Sequence, residues 1–395
     1  MIHIAPEMFE IKEKEIAELA DRYDYDPWRV RIFDMQRQSV VLKNPPPAML
    51  PPELRSRFKF ATLTMQANGF TFTTSETSCA EPLGHLVDTP YLAEAFPQPD
   101  GACLITLTYD GVPVANFDSL RLVDIMGKPS SYYFAFKEAR DGAALATYLV
   151  LNPYEDCAYR CRYCSRLPFF GKHGPDYRDN LPVIVGEVSR RIKSPGEVRF
   201  INIITGSRAD AEADLIMTRE IVEAFDAAGF EHCDYGFYTS NIHTRENLLA
   251  LKKLRVTVLT VTIEVTSPEA RLRLHEPGNP KRMLRFEEML DLIQQAEEIF
   301  PFVNTTLMLG YEPADTLKRN LEALVSKTYA TVNHYIPRLW LKSQRDLLHP
   351  SAHTLEYYVD LMAFIERDVN AGRATISSLF EDRFGIPQFR LRYRS

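Results

Sequence analysis

Three closely spaced cysteines are the residues of this chain best suited to chemistry. Cys157, Cys161 and Cys164 follow the pattern C-x3-C-x2-C. Three thiolates hold three irons of a four-iron cubane and leave the fourth iron open, whereas a structural zinc takes four protein ligands. The spacing therefore predicts a [4Fe-4S] cluster whose open iron takes an exchangeable ligand. The alternative is a zinc knuckle with His173 as its fourth ligand.

This loop resembles the cluster loop of the radical S-adenosylmethionine (radical SAM) superfamily. The resemblance rests on the three cysteines and on the aromatic Tyr163 before the last of them, and it extends over residues 146–340. In that family the amino and carboxylate groups of SAM chelate the open iron, and an electron from the reduced cluster breaks a carbon–sulfur bond. The resulting 5′-deoxyadenosyl radical abstracts a hydrogen atom. The resemblance thus implies a [4Fe-4S] cluster and S-adenosyl-L-methionine as cofactors.

The flanking sequence is locally similar to the spore photoproduct lyase-like branch of this superfamily. The similarity rests on Asn152-Pro-Tyr, Thr218-Arg219 and Glu276-Pro-x-x-Pro-x-Arg282. That branch includes a DNA repair lyase, but this acidic chain has no evident basic stripe for nucleic acid. The similarity therefore implies a shared scaffold and not a shared substrate.

From residue 146 onward the sequence alternates between a strand pattern, a loop and an amphipathic helix. This order is typical of parallel strands joined by crossover helices. It predicts an α/β fold with a partial (β/α)6 barrel, in which the C-terminal strand ends and the loops beyond them form the active site. The predicted strands are residues 147–151, 198–204, 235–238, 256–263, 303–309 and 331–336.

The first part of the chain has a different pattern. Residues 7–38 have helical periodicity, and the short β-favouring runs between residues 58 and 136 are separated by Gly, Pro, Asp and Asn. Asp110-Gly111 predicts a hairpin turn. We therefore predict an N-terminal, mostly β accessory and substrate-recognition domain over residues 1–143. A radical SAM core over 144–345 and a C-terminal helical extension over 346–395 would follow it.

A bound SAM molecule needs polar groups around its methionine part and its ribose. The resemblance puts Thr205, Gly206 and Ser207 after the second strand, where the superfamily often has a glycine-rich segment whose carbonyls approach the methionine ammonium. It puts Glu264 at the end of the fourth strand, where the family has a polar side chain facing ribose or methionine. A Thr-Gly-Ser segment is also a common simple turn, so its position carries the argument.

The SAM carboxylate requires a cation, and the adenine requires an apolar surface. Arg282 is the candidate for the carboxylate because a guanidinium holds a carboxylate through two parallel hydrogen bonds. Lys281 and Arg285 are the local alternatives. The resemblance implies that Met308, on the fifth predicted strand, lies beside adenine. A solvated helix surface and ordinary core packing are the competing interpretations of Arg282 and Met308.

Five further residues are candidates for work on the substrate. Tyr238 and Asn241 end the third predicted strand, and His334 and Arg338 flank the end of the sixth. His334 is the candidate general base because imidazole exchanges protons near neutral pH, and Arg338 would bind a carboxylate or phosphate. Cys233, expected near the mouth of the barrel, is the candidate hydrogen donor to a substrate radical. Burial as a small apolar residue is the alternative for Cys233.

Composition limits the partners and the compartment. The 395-residue chain has 45% hydrophobic and 25% charged residues and a net charge of −7, so it has no general electrostatic reason to bind nucleic acid. The sequence predicts neither a membrane span nor a signal peptide. The cysteines outside the cluster loop are single and widely spread, which suggests no disulfide framework. We therefore expect a cytoplasmic protein.

The resemblance to the radical SAM superfamily implies an enzyme that abstracts hydrogen from a small molecule or natural-product intermediate, with a flavodoxin- or ferredoxin-type protein as electron donor. A peptide substrate comes second and a nucleic-acid lesion third. The competing class is a non-enzymatic zinc or iron–sulfur interaction module, which predicts no cleavage of SAM. Lysis, rearrangement, epimerisation, dehydrogenation and group transfer all stay open, because the outcome depends on substrate geometry.

Overall fold

The structure is a computed structural model. It describes residues 6–38, 40–43, 58–67, 70–77, 90–97, 103–117, 119–127, 133–141, 144–153, 157–164, 176–335, 337, 342–369 and 375–376. None of the helices within these ranges has both the length and the apolar character that a membrane span requires.

The N-terminal region begins with two helices and continues as strands. Helix α1 spans Pro6–Tyr23 and α2 spans Pro27–Gln38. The strands are β1 (Val41–Lys43), β2 (Phe58–Ala67), β3 (Phe70–Thr77), β4 (Tyr91–Pro97), β5 (Cys103–Tyr109), β6 (Val112–Phe117) and β7 (Ser119–Gly127). They form one sheet in the order β1-β4-β5-β6 and another in the order β3-β2-β7. The predicted, mostly β character of this region is confirmed.

The turn between β5 and β6 has the predicted residues. Asp110 and Gly111 have φ angles of 49° and 84°, and Tyr109 pairs directly with Val112. A two-residue hairpin turn with positive φ at both positions matches the twist of the flanking strands, and Asp-Gly is among the pairs that tolerate it best. The hairpin prediction is therefore confirmed.

The core sheet has eight strands in the order β15-β14-β13-β12-β11-β10-β9-β8. Strand β8 spans Tyr133–Asp141, and the others are β9 (Ala144–Asn152), β10 (Val198–Ile203), β11 (Asp234–Thr239), β12 (Val256–Glu264), β13 (Phe302–Met308), β14 (Thr331–Tyr335) and β15 (Thr375–Ile376). Strands β9 to β15 run parallel to one another. Parallel strands in sequential order with crossover helices form a partial barrel, which confirms the predicted fold.

Helices connect the parallel strands. They are α3 (Tyr177–Arg191), α4 (Ala211–Asp226), α5 (Arg245–Lys253), α6 (Pro268–Leu274), α7 (Phe286–Ile299), α8 (Ala314–Lys327), α9 (Lys342–Arg345) and α10 (Leu355–Phe364). A short 3₁₀ helix at Pro280–Met283 precedes α7. The side chains of Asp176, Asp210, Thr244 and Ser267 each accept a hydrogen bond from a backbone NH in the first turn of α3, α4, α5 and α6. These caps fix where the helices begin after the loops of the site.

The two faces of the core sheet have different neighbours. Ile201 and Leu259 belong to the large apolar core that also contains residues of the covering helices, such as Ile221. On the opposite face Val150, Phe200 and Val258 form a separate small apolar cluster, hereafter the floor. Successive side chains of a strand alternate between the two faces of the sheet. The residue two positions after each floor residue therefore lies on the same face, hereafter the inner face, and closer to the C-terminal end of its strand.

Two elements join the core sheet from outside the predicted core. Strand β8 lies in the region assigned to the accessory domain, yet it pairs antiparallel with β9. Strand β15 lies in the predicted helical extension and pairs with β14. The N-terminal helices also contact this extension, since Tyr25 donates to Glu366 over 2.8 Å and Arg37 donates to the His353 carbonyl over 2.7 Å. The division into three domains stays a prediction.

Candidate active site

The three cysteines lie on one short loop after β9, at the C-terminal edge of the sheet. Cys161 is buried, and Cys157 and Cys164 are half-buried. The Cys164 NH donates to the Cys161 carbonyl over 2.9 Å, which closes a tight turn between these two residues. Burial raises the pKa of the Cys161 thiol to about 12. A thiolate at this position therefore needs a neighbouring positive charge, such as a bound iron.

Backbone hydrogen bonds fasten the loop on two sides. The Ala158 NH donates to the Ser207 carbonyl over 2.9 Å, and the Arg162 NH donates to the Leu274 carbonyl over 3.1 Å. Ser207 ends the Thr-Gly-Ser segment that follows β10, and Leu274 ends α6. The structure thus brings the predicted Thr205–Ser207 segment next to the first cysteine.

Asn279 holds the loop from a third side. Its Nδ2 donates to the Tyr159 carbonyl over 2.6 Å and lies 3.9 Å from Cys161 Sγ. Its Oδ1 accepts from the Lys281 NH over 2.9 Å and so caps the 3₁₀ helix. Hydrogen bonds to cluster sulfurs tune reduction potentials. Sequence reasoning missed Asn279, although an asparagine before a proline is a known signal for a helix start.

A buried chain of hydrogen bonds runs from the cluster loop to α4. The Tyr159 hydroxyl donates to Asn241 Oδ1, and Asn241 Nδ2 donates to Asp214 Oδ2 over 2.7 Å. Asp214 also accepts from the Arg208 NH over 2.9 Å. These contacts use both ends of the Asn241 amide to position the loop. A direct catalytic role of Asn241 stays a prediction.

The pKa of Asp214 predicts how this chain responds to pH. Burial raises it from 3.8 to about 6, against the opposing effect of hydrogen bonds from Arg208 and Asn241. The folded state then holds a proton that the unfolded state has lost. The free energy of unfolding is therefore expected to fall by up to about 3 kcal/mol as pH rises from about 4 to about 7. In Asp214→Asn this contribution should disappear.

Urea denaturation of the cluster-free protein across this pH range measures the effect. Asp291→Asn is the matched control, because Asp291 lies exposed on α7. The control should follow the wild-type profile. A wild-type profile that coincides with that of Asp214→Asn at every pH would contradict the prediction.

A buried group of charged side chains lies beside Cys161. Lys281 Nζ donates to Glu264 Oε1, and His275 Nε2 lies 3.3 Å from Glu264 Oε2. Burial alone raises the pKa of Glu264, but the Lys281 ammonium and the His275 ring outweigh burial and hold this pKa well below its usual range. Glu264 is therefore a carboxylate at neutral pH. It has φ of 69°, at the point where the register between β12 and β13 shifts.

This charged group adjoins the cysteine loop. Ligand-type atoms of Cys161, Glu264 and His275 all lie within 4.8 Å of one another. Tyr163 packs against the same group, because its ring centre is 6.0 Å from that of His275. Glu264 Oε2 and both ring nitrogens of His275 are buried without a hydrogen bond of good geometry among the described residues. Buried polar atoms of this kind fit the binding of a further polar ligand.

Comparison of the sequence with models of known protein families identifies the domain that contains this site. Residues 151–324 match the model of the radical SAM superfamily. This part of the chain is a radical SAM domain. The matched segment contains the cysteine loop, the Thr205–Ser207 segment and the charged group, so the predicted membership is confirmed. The kinship with the spore photoproduct lyase-like branch stays a prediction. None of the curated protein sequences matches the chain.

Several solved structures are similar to part of this chain. The FeFe-hydrogenase maturase HydG from Carboxydothermus hydrogenoformans has a TM-score of 0.44 and 18% identity, over 56% of this chain and 51% of that one. Coproporphyrinogen III oxidase HemN from Escherichia coli has a TM-score of 0.38 and 12% identity, over 54% of this chain and 50% of that one. SuiB from Streptococcus suis has a TM-score of 0.40 and 10% identity, over 58% of this chain and 49% of that one. The chain spans about half the length of these proteins, and likeness at this level carries no argument about substrate.

The radical SAM domain orients the two adjacent basic residues differently. Arg282 is half-buried, and its Nη1 donates to the carbonyls of Leu272 and His275 over 2.7 and 2.5 Å. Lys281 is buried and contacts Glu264. Among the described residues Lys281 is thus the cation inside the charged group, and Arg282 fastens the chain beside it. The predicted role of Arg282 at the SAM carboxylate stays a prediction.

The remaining candidates lie in different places. Tyr238 and Met308 are half-buried near the C-terminal ends of β11 and β13, on the edge that carries the cluster loop. His334 lies in β14 opposite Leu307, but its side chain is outside the described part of the structure, as is all of Arg338. Their roles stay predictions.

Cys233 lies at the opposite edge of the sheet. It precedes β11, and its thiol donates to the carbonyl of Val198, the first residue of β10, over 3.2 Å. The cluster loop follows the other end of these parallel strands, roughly 17 Å away along a six-residue strand. The expected closeness of Cys233 to the mouth of the barrel is therefore wrong. Its position at the start of a strand, read from the sequence order alone, would have indicated this.

Proposed function

We propose that this radical SAM enzyme binds a [4Fe-4S] cluster through Cys157, Cys161 and Cys164, cleaves SAM reductively and abstracts hydrogen from a small polar molecule. The observation that carries the proposal is the buried group of charged side chains beside Cys161 in a domain of this superfamily. When bound, the cluster supplies one electron to break a carbon–sulfur bond of SAM. The residues of the chain bind, orient and neutralise the reactants.

The charged group fits the amino-acid part of SAM. That part has an ammonium and a carboxylate, and the site offers a carboxylate at Glu264 and an ammonium at Lys281 in direct contact. Both side chains are buried. Opposite charges in a water-excluded site interact strongly and orient a zwitterion. We therefore assign the SAM carboxylate to Lys281 and the SAM ammonium to Glu264, with the Thr205–Ser207 carbonyls as further acceptors.

Two exposed arginines on the cluster loop favour the proposal that the electron donor is an acidic protein. Arg160 and Arg162 are exposed, and they flank the buried Cys161. A positive surface next to the cluster would attract a flavodoxin- or ferredoxin-type protein with an acidic docking face. Arg162 is partly neutralised by Glu276, whose carboxylate lies 3.3 Å from Arg162 Nε. Arg160 is therefore the stronger contributor to this surface.

Anaerobic reconstitution tests the proposed function. The protein is loaded with iron and sulfide and reduced with dithionite, and 5′-deoxyadenosine and methionine are measured after addition of SAM. We expect cleavage by the wild type and its loss in the Cys157/Cys161/Cys164 triple alanine variant. Cys103→Ala is the matched control, because Cys103 lies on β5 outside the core sheet. Wild-type protein that binds neither iron nor SAM would refute the proposal and favour an interaction module.

A further inference from the structure

Three buried asparagines line the inner face of the core sheet. Asn152, Asn202 and Asn304 lie on β9, β10 and β13 and are 4%, 1% and 2% exposed. Each has an amide atom without a hydrogen-bond partner among the described residues, namely Asn152 Oδ1, Asn202 Nδ2 and Asn304 Nδ2. Buried amide atoms of folded proteins are nearly always paired, so three unpaired ones on one face require a reason.

The strand register puts these asparagines on the face opposite the helices. Asn202 pairs with Val150 of the floor, and Asn152 is two residues further along the same strand. Asn304 is two residues beyond Phe302, which packs against the floor. Alternation along each strand therefore gives all three amides the same direction as the floor residues. The floor closes the inner face at one end, and the other end leads to the cluster loop.

The neighbouring positions of this inner face on β12 and β13 are polar and uncharged. Thr260 pairs with Asn304, and Thr262 pairs with Thr306. Thr260 and Thr306 are buried. From the floor to the end of β12, where Glu264 lies, the side chains described on this face carry no charge. Amide and hydroxyl groups bind neutral polar groups well, whereas a buried anion needs a cation as partner.

A glycine leaves room for this arrangement. Asn202 pairs with Gly236 of β11, and a Cβ at Gly236 would lie 2.5 Å from Asn202 Oδ1 and 2.6 Å from Phe200 Cζ. The side chain of Asn202 therefore occupies the space above Gly236. A glycine inside a strand often marks such a close approach.

We propose that the inner face binds an uncharged substrate group with at least one hydrogen-bond acceptor and one donor, such as an amide or a polyol. The acceptor would take hydrogen bonds from Asn202 Nδ2 and Asn304 Nδ2, and the donor would give one to Asn152 Oδ1. Carboxylates and phosphates would be rejected here because the described part of this face has no cation for them. The inference rests on the proposed function and names the substrate class of the same site.

Matched neutral and anionic probes test this preference. N-acetylglycinamide and glycerol are compared with N-acetylglycine and glycerol 3-phosphate on the reconstituted enzyme with SAM, by saturation-transfer NMR. We expect the neutral member of each pair to bind at least about tenfold more tightly, since a buried anion without a partner is penalised by that much or more. Equal or tighter binding of the anionic member, or no binding of either neutral probe at high millimolar concentration, would overturn the inference.

Two variants connect the preference to the asparagines. Asn202→Asp and Asn304→Asp keep the shape of the side chain but replace a donor by a carboxylate, and each is expected to weaken binding of the neutral probes about tenfold. Asn247→Asp on α5 is the matched control and should bind as the wild type does. If one of the two variants fails to fold, the other carries the test. Wild-type affinity in a folded variant would remove that asparagine from the proposed site.

The two levels of the proposal fail in different ways. SAM cleavage by the wild type is measured first on the same preparation. A protein that does not cleave SAM under any condition refutes the proposed function, whatever it does with the probes. A protein that cleaves SAM but prefers the anionic probes refutes only the inference about the substrate class.

Discussion

Lys281→Met is expected to destabilise the protein by about 3–5 kcal/mol and to abolish measurable SAM cleavage, because it leaves the Glu264 carboxylate buried without its ammonium partner. The side chains of Lys281 and Glu264 are only 8% and 7% exposed, so water cannot replace the lost partner. The second neighbour, His275, contacts the carboxylate at 3.3 Å but is itself buried. The same ammonium is the proposed partner of the SAM carboxylate, so stability and cofactor binding should fall together.

A second variant separates these two effects. Adding Glu264→Gln to Lys281→Met removes the unpaired charge, and the double variant should recover a large part of the lost free energy of unfolding. It should not recover SAM binding, because neither member of the charged pair remains. Urea denaturation measures the first quantity, and equilibrium binding of SAM to the reconstituted protein measures the second.

Lys318→Met is the matched control for the loss of a lysine ion pair. Lys318 Nζ lies 2.6 Å from Asp360 Oδ2, but these side chains are 23% and 30% exposed. A partly exposed pair of this kind is worth about 1 kcal/mol or less. If Lys281→Met costs no more than the control and leaves SAM cleavage intact, the assignment of Lys281 is refuted.

The core sheet could be predicted from the sequence because each parallel strand is a buried, β-branched run followed by a loop and an amphipathic helix. The six predicted strands lie within a few residues of β9 to β14. The pairing of β8 could not be predicted in the same way. The sheet that β8 joins is decided by its hairpin partner, β9. An antiparallel edge strand has no periodic signal that distinguishes it from the strands of a neighbouring sheet.

The choice between Lys281 and Arg282 shows where sequence reasoning about the site ends. The two residues are adjacent, and both could reach a carboxylate. The 3₁₀ helix at Pro280–Met283, capped by Asn279, turns one side chain inward and the other outward. A rotation of one residue in a short turn has no signature in composition or periodicity. The sequence therefore offered Arg282 as the candidate and Lys281 as an alternative, without indicating which of the two faces Glu264.

The sequence contained a pattern that indicates the asparagines of the inner face, and the alternation of side chains along a strand reveals it. In Phe200-Ile-Asn202 and Phe302-Val-Asn304 an amide follows two residues after a phenylalanine within an apolar strand. Polar residues in fully buried parallel strands are costly unless they are paired or bind a ligand. Their position between the floor and the cluster edge therefore indicates the substrate side of the barrel.

Gly236→Ala is expected to lower the free energy of unfolding by about 1–3 kcal/mol, the usual cost of overpacking a well-filled interior. The added methyl group would lie 2.5 Å from Asn202 Oδ1 and 2.6 Å from Phe200 Cζ, so both side chains must shift. Phe200 is held in the floor by Val150 and Val258. Asn202 should therefore be displaced, and binding of the neutral probes should weaken with it.

Gly186→Ala is the matched control, and its expected effect on the free energy of unfolding has the opposite sign. Gly186 lies inside α3, and a Cβ there would meet nothing within 4 Å. Alanine in a helix interior is favoured over glycine by about 0.5–1 kcal/mol, so this control should stabilise the protein. If both alanine variants stabilise the protein, or if Gly236→Ala binds the neutral probes as the wild type does, the close approach between Gly236 and Asn202 does not shape the inner face. Destabilisation together with weaker probe binding in Gly236→Ala alone would tie the packing of this strand pair directly to substrate recognition.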